Sequence, residues 1–357
     1  MGYKVIARRW RPRRFNEVVG QECVIRTLTR AIERNRIAHA YLFAGSRGTG
    51  KTTTARLFAM ALNAAEKPTA NFDPDDPVCA AIWRGTHLDV LEIDGASNNS
   101  VDEVRALREQ CIYAPAECRY RIFIIDEVHM LTNAAFNALL KILEEPPEHV
   151  KFVFATTDAQ KVLPTIVSRC QRFNFRPISG ELIKKRLGEI AIAEGVTIEP
   201  GAIEAITRMA GGGMRDAQSL LEQMIAFCGR NICGQDVLSM FALAGEDEVR
   251  ALVDALIGWD DKRALAIAEE WNRLGVDFYR ACIDVREELQ RRLITATQRN
   301  DAERTTIVLL LDTLTGHERQ LQFSVSPETT FAVSLLLAIE NSRRRPIEEI
   351  MHTLRHS

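Results

Sequence analysis

The chain has 357 residues, 46% of them apolar and 26% charged, with 46 Lys plus Arg against 48 Asp plus Glu. That length supports about two or three domains, and that composition excludes a fibrous or largely disordered chain. A net charge of −2 excludes a generally polyanion-seeking surface. Basic residues instead concentrate locally, in Lys4, Arg8, Arg9, Arg11, Arg13 and Arg14, where phosphate can still be met. No stretch nears the roughly 18 apolar residues that a bilayer span needs, and no apolar signal core follows the basic N-terminus. The expectation is a cytoplasmic chain with no membrane partner. Eight scattered cysteines without a Cys-x-x-Cys indicate neither a disulfide framework nor a zinc ribbon.

In chain order, apolar runs at 41–44, 89–93, 121–125, 152–156 and 172–175 read as strands. Segments between them, such as 100–109 and 133–143, carry the helical period. That alternation implies a parallel sheet covered on both faces. From about residue 180 the strand signal fades. Residues 180–240 read as short helices around the Gly211-Gly212-Gly213 break. The remainder reads as helices only, with Val249, Leu252, Val253, Leu256 and Ile257 at i, i+3, i+4 spacing. Linkers are expected at 176–180 and 242–247.

Gly45-Ser46-Arg47-Gly48-Thr49-Gly50-Lys51-Thr52 matches G-x-x-x-x-G-K-[ST]. It follows the strand at 41–44 and opens a helix over 52–62, the context that the motif requires. Glycines let the backbone turn its N–H groups toward phosphate oxygens, and the helix N-terminus adds partial positive charge. Residues Gly45 to Thr53 are therefore the expected nucleotide-binding set. Lys51 bridges the β- and γ-phosphates and the Thr52 hydroxyl binds Mg²⁺. The strand at 121–125 ends in Asp126 and Glu127. Asp126 is expected to hold the Mg²⁺ shell and Glu127 to polarise the attacking water. At the end of the run 152–156, Thr157 either orients that water and senses the γ-phosphate or simply caps the strand. Arg169, in Ser168-Arg169-Cys170, is compatible with an arginine finger acting in trans and with a solvated surface residue.

The motifs then accumulate. Arg11-Pro12, Phe15 and Val18-Val19-Gly20-Gln21 precede the phosphate loop, and Glu92-Ile93-Asp94-Gly95-Ala96-Ser97 follows it. Next come Asp126-Glu127-Val128-His129-Met130-Leu131, Phe136-Asn137-Ala138-Leu139-Leu140-Lys141 and Leu143-Glu144-Glu145-Pro146-Pro147. Ala155-Thr156-Thr157-Asp158, Ser168-Arg169-Cys170-Gln171-Arg172-Phe173 and Gly213-x-Arg215-Asp216-Ala217 close the set. Over residues 1–225 the chain resembles the gamma/tau family of bacterial DNA polymerase III clamp-loader subunits, which are AAA+ ATPases. The helical remainder matches in length and character only.

The resemblance implies an AAA+ α/β core at 1–178, a small helical lid at 179–243 and an all-α oligomerisation collar at 244–357. It implies an ATPase, using ATP and Mg²⁺, that opens the sliding clamp and loads it onto primed DNA. Partners would be further gamma/tau copies, delta and delta-prime subunits, the clamp and the DNA. By the same resemblance, Arg169 is the finger for the neighbouring subunit's ATP, Thr157 the first sensor and Arg215 the lid's second sensor. Val18 and Val19 line the adenine pocket, and the basic segment 8–14 serves nucleotide and lid packing rather than DNA. Asn98, Arg105 and Lys141 are candidate DNA phosphate contacts, set against a helix face of mixed charge.

Two departures stand out. Many members of the family carry four zinc-ligating cysteines, at positions that read Ala64, Asp73, Asp76 and Cys79 here. Structural zinc prefers Cys and His, so zinc is expected to be absent. A residual site from Asp73, Asp76, Cys79 and His87 is the weaker alternative. The length also matches a short gamma-like or a trimmed form. A non-hydrolysing scaffold subunit is opposed by intact Lys51, Thr52, Asp126 and Glu127. A different AAA+ DNA motor is opposed by Ser168-Arg169-Cys170 and the helical C-terminus.

Overall fold

The computed structural model describes residues 5–299 and 303–343. Lys4 of the basic segment and the end of the expected collar therefore lie outside the described residues. Five strands, β1 (Ala40–Ala44), β2 (Val90–Asp94), β3 (Arg121–Asp126), β4 (Val150–Thr156) and β5 (Gln171–Asn174), form one parallel sheet. Their order is β2-β3-β4-β1-β5. All five fall on the apolar runs of the sequence, with ends displaced by one or two residues.

Side chains alternate between the two faces, as the pleat requires. Tyr41, Phe43, Ile122, Ile124, Val153 and Ala155 enter one apolar layer, beside residues of the helices Glu22–Glu33 and Lys51–Leu62. Ala40, Leu42, Phe123, Ile125, Phe152 and Phe154 enter the other, with the helices Val101–Ile112 and Asn133–Glu144. Because both faces are covered, β1 and β4 are buried along their whole length. That is why they read as continuous apolar runs rather than as alternating ones. Each large side chain so buried contributes about 1.5–3 kcal/mol. The best-anchored strands are thus those that lead into the phosphate loop and into Thr157.

Local signals fix the helix starts. The Ser100 hydroxyl accepts from the Glu103 N–H while the Glu103 carboxylate accepts from the Ser100 N–H, a capping box. Thr132 caps the helix Asn133–Glu144 through the Ala135 N–H. The register sets Asp94 opposite Asp126 and Ala44 opposite Thr156. The carboxyl ends of four strands therefore face one region, where open parallel sheets bind their ligands.

The helices Gly180–Glu194, Pro200–Met209 and Met214–Cys228 follow the sheet. The reading of 180–240 as short helices needs a correction here. Two-residue strands, β6 (Thr197–Ile198) and β7 (Asn231–Ile232), pair in parallel. Two residues are too few to leave a periodic trace. The chain divides into two compact units, Met1–Cys233 and Gly234–Ser357. Among described residues the second unit is helical, with a core around Trp271, Phe278 and Phe331. Rings of Phe278 and Phe331 stand 5.1 Å apart. No described helix is long and apolar enough to cross a membrane.

Candidate nucleotide-binding site

The loop after β1 turns sharply into the helix Lys51–Leu62. Gly48 (φ 75°) and Gly50 (φ 101°) both take left-handed backbone, which favours glycine. A Cβ on Gly48 would also stand 2.8 Å from the Asp216 carboxylate and 2.9 Å from the Gly213 Cα. The start of the helix Met214–Cys228 is thus seated on the loop. The Met214 N–H donates to the Gly48 carbonyl at 3.0 Å, and Arg47 faces Asp216 at 3.6 Å. This seating brings Arg215 to the site.

A cavity of about 570 Å³ results. Its wall includes Val18, Val19, Arg47, Gly48, Thr49, Gly50, Lys51, Thr52, Thr53, Asp126, Glu127 and Arg215, all singled out in the sequence. Gly45 and Ser46 do not line it. Their carbonyls accept from Lys51 Nζ at 2.7 and 2.8 Å. Burial pushes the Lys51 pKa down, while Glu127 and Asp126 pull it back up. Thr157, Arg169, Asn98, Arg105 and Lys141 do not line the cavity.

Thr52 Oγ1 donates to Asp126 Oδ2 at 2.6 Å. A hydroxyl and a carboxylate in contact at a phosphate loop are the hard oxygen donors that Mg²⁺ prefers, so the residues fit the ion. Glu127 sits at φ 46°. Its Oε2 accepts from the Thr157 N–H at 3.1 Å and from the Thr157 hydroxyl at 2.8 Å. His129 Nδ1 lies 3.3 Å from the same oxygen and 3.0 Å from Thr156 Oγ1. Thr157 therefore does more than end a strand: it holds the carboxylate that follows β3.

Arg169 donates to the Thr165 carbonyl at 2.9 Å and to Glu144 Oε1 at 2.8 Å. Asn98 donates to the Asp94 carbonyl at 3.1 Å, and Arg105 pairs with Asp102 at 3.0 Å. Lys141 is exposed.

Two arginines of the N-terminal basic segment find carboxylates within its own unit. Arg9 pairs with Glu194 at 2.7 Å, and Arg13 with Asp75 at 2.8 Å. Trp10 Nε1 donates to Glu194 at 2.8 Å, and the Arg186 guanidinium lies 5.4 Å over the Trp10 ring. Sequence reading missed Gln21 as a positioning residue. It is buried, its Nε2 donates to the Arg176 carbonyl at 2.8 Å, and its Oε1 accepts from the Arg176 N–H at 3.2 Å. No periodicity could have signalled a partner so distant in the chain.

Two of the four residues of the weaker zinc alternative accept backbone hydrogen bonds. Asp76 accepts from the Val78 and Cys79 N–H groups, and Asp73 from the Asp75 N–H. His87, Asp89 and Cys118 gather within 4.8 Å of one another. The Asp89 carboxylate is filled by the N–H groups of Ala116, Glu117 and Cys118 and by Arg121. His87 Nδ1 accepts from the Asp89 N–H at 3.1 Å. That bond leaves the proton of a neutral ring on Nε2, the nitrogen facing Cys118, where a metal would need a lone pair.

A family model described as DNA polymerase III, delta subunit, matches residues 20–179. Another, described as DNA polymerase III clamp loader subunit, ATPase lid domain, matches residues 182–230. The chain is 44% identical to the DNA polymerase III subunit tau of Bacillus subtilis, over 78% of this chain and 49% of that one. It is 37% identical to the Escherichia coli subunit tau, over 98% of this chain and 57% of that one. To the DNA polymerase III subunit gamma of Buchnera aphidicola it is 35% identical, over 95% of this chain and 99% of that one. The chain thus spans about half the length of the tau relatives and nearly all of the gamma relative. With its parallel sheet, phosphate loop and seated lid helix, the chain belongs to the gamma/tau family of DNA polymerase III clamp-loader subunits.

Proposed function

We propose that this chain binds and hydrolyses ATP as one subunit of an assembly that opens the sliding clamp and loads it onto primed DNA. The observation that carries the reading is the direct contact of Thr52 with Asp126 in a cavity that Lys51 and Glu127 also line. Val18 and Val19 take the base, the backbone of Gly48 to Thr53 cradles phosphate, and Lys51 neutralises the β- and γ-phosphates. Thr52 and Asp126 hold Mg²⁺, which supplies charge neutralisation at those phosphates. Glu127 is the base for the attacking water, and Thr157, hydrogen-bonded to it, is the first sensor. Arg215 reaches the γ-phosphate from the lid. Hydrolysis releases the clamp and the DNA.

The working parts are a core at 1–178, a lid at 179–243 and a collar at 244–357 that joins gamma/tau copies with delta and delta-prime subunits. Arg169 acts on the neighbour's ATP, and its bond to Glu144 orients it outside its own cavity. Asn98, Arg105 and Lys141 contact DNA phosphates, which position a duplex without reading its sequence. The chain works in the cytoplasm and carries no structural zinc.

Two variants test the reading together. Lys51→Ala is expected to abolish nucleotide binding and clamp loading. Glu127→Gln is expected to keep ATP affinity and to lower turnover by at least about 100-fold. ATP hydrolysis at the normal rate by Glu127→Gln, measured with clamp and primed DNA present, would contradict the assignment of the base.

A further inference from the structure

The chain leaves β3 through Glu127 and the single 3₁₀ turn Val128–Met130. Glu127 takes left-handed backbone, φ 46° and ψ 45°. A residue with a β-carbon rarely does so, and such outliers cluster where a side chain has to be aimed. The Met130 N–H closes the turn on the Glu127 carbonyl at 2.9 Å. In this turn the His129 ring meets the Glu127 side chain. Its Nδ1 bonds to Thr156 Oγ1 at 3.0 Å and lies 3.3 Å from Glu127 Oε2. The side chains of His129 and Glu127 are 10% and 33% exposed, and Thr156 is fully buried. Water therefore screens this contact poorly.

The neighbours of Nδ1 decide where its proton sits. A carboxylate oxygen offers lone pairs only. A lone pair on Nδ1 would face them across 3.3 Å and be repelled. A proton on Nδ1 turns that contact into attraction. The Thr156 hydroxyl already accepts from the Asp158 N–H at 3.0 Å, and its second lone pair can take the Nδ1–H. The hydrogen-bond network thus puts the proton on Nδ1. Thr156 anchors the ring, and the ring presents its N–H edge to Oε2. The same Oε2 accepts from the Thr157 N–H and hydroxyl. Among the described residues none donates to Oε1. The carboxylate is held at one oxygen and free at the other.

We propose that His129 is a positioning residue for hydrolysis. Its Nδ1–H steadies Oε2 of Glu127, which leaves Oε1 to receive the proton of the attacking water. The water oxygen bonds to the γ-phosphorus as the bond to the bridging oxygen of ADP breaks. This rests on the reading of Glu127 as the base. Glu127 lines the nucleotide cavity and His129 does not, so the ring acts on turnover and not on nucleotide binding.

The test is turnover in the assembled loader with clamp and primed DNA, beside ATP affinity and nucleotide-free melting of the full chain. Asparagine sets its amide nitrogen near the place of Nδ1, whereas glutamine sets its own nearer Nε2. His129→Ala and His129→Gln are expected to lower kcat by about 10- to 100-fold, with ATP affinity within about twofold of the parent. His129→Asn should keep most of the rate. Equal losses in all three variants would remove Nδ1 as the working atom and overturn the proposal. A parental rate in His129→Ala would overturn it as well, and so would a loss of ATP affinity that matches the loss of rate. A melting temperature that falls in step with the rate, asparagine included, would make His129 a packing residue and count against it equally. Glu127→Gln, run alongside, tests the base separately. Normal turnover there defeats the reading of the base, whereas an inactive Glu127→Gln beside an unaffected His129→Ala defeats only the role of His129.

Discussion

Arg169 and Glu127 show how much a single side chain's surroundings add to its motif. The sequence offers Arg169 as a finger or as a solvated residue. In the structure its guanidinium is turned to Glu144 and the Thr165 carbonyl, away from the cavity of its own chain. A residue so placed lies outside the lining of that chain's cavity. Arg169→Ala is therefore expected to leave the ATP affinity of the isolated chain within about twofold of the parent. In the assembled loader it should lower hydrolysis by about 10³-fold or more. Titration of the isolated variant, beside turnover in the reconstituted assembly, separates the two; lost affinity in the isolated chain would mean a structural role instead. Lys51, Thr52 and Asp126 were legible because their chemistry is written in short motifs at strand ends. His129 and Gln21 were not, because what they do depends on atoms such as Glu127 Oε2 and the Arg176 carbonyl that only folding brings near.

At the level of elements, the approach to β2 is tied to the approach to β3 by Asp89. Burial alone would raise its pKa, but three backbone N–H donors from 116–118 and the Arg121 side chain hold it below the usual carboxylate range. Removing the carboxylate orphans those donors, so Asp89→Ala is expected to cost about 3 kcal/mol at neutral pH. The folded pKa is depressed, so this contribution is complete above the unfolded value and disappears as pH falls through the folded one. Denaturant midpoints of parent and variant should therefore converge on acidification. A gap that stays constant to low pH would rule out the carboxylate as its source. The neighbouring acidic loop bears on zinc. Asp73 and Asp76 act as turn and helix caps, so protein purified without chelator should contain no stoichiometric zinc by elemental analysis. One zinc per chain, with a lower melting temperature in EDTA, would reverse that expectation.

At the scale of the whole molecule, each compact unit has its own apolar core. In the second unit Leu310 and Leu335 are buried and serve its own core. Val333 and Leu337, one turn apart on the helix Pro327–Arg343, stay 46% and 41% exposed, with Val308 at 45% on the helix Glu303–Gln322. Exposed apolar residues on paired helices suit an interface. A chain ending at Cys233 keeps both layers around the sheet and loses the second unit. Light scattering is expected to find it monomeric; an oligomer of unchanged size would place the interface in the first unit.

The sequence by itself determined the parallel sheet, the phosphate loop, the two carboxylates where β3 ends and the helical character of the second unit. Those features rest on local chemistry: burial on both faces makes continuous apolar strands, and a tight phosphate turn demands glycine at fixed spacing. Only the tertiary structure decided that Thr157 holds Glu127, that Met214 docks on Gly48 and that Arg11 donates to Thr53. It also decided that Arg9 and Arg13 of the basic N-terminal segment pair with Glu194 and Asp75. The physical reason is common to these contacts. Hydrogen bonds and ion pairs act over a few ångströms, and their partners here lie tens to nearly two hundred residues apart in the chain. No local pattern encodes them until the sheet and lid bring them together.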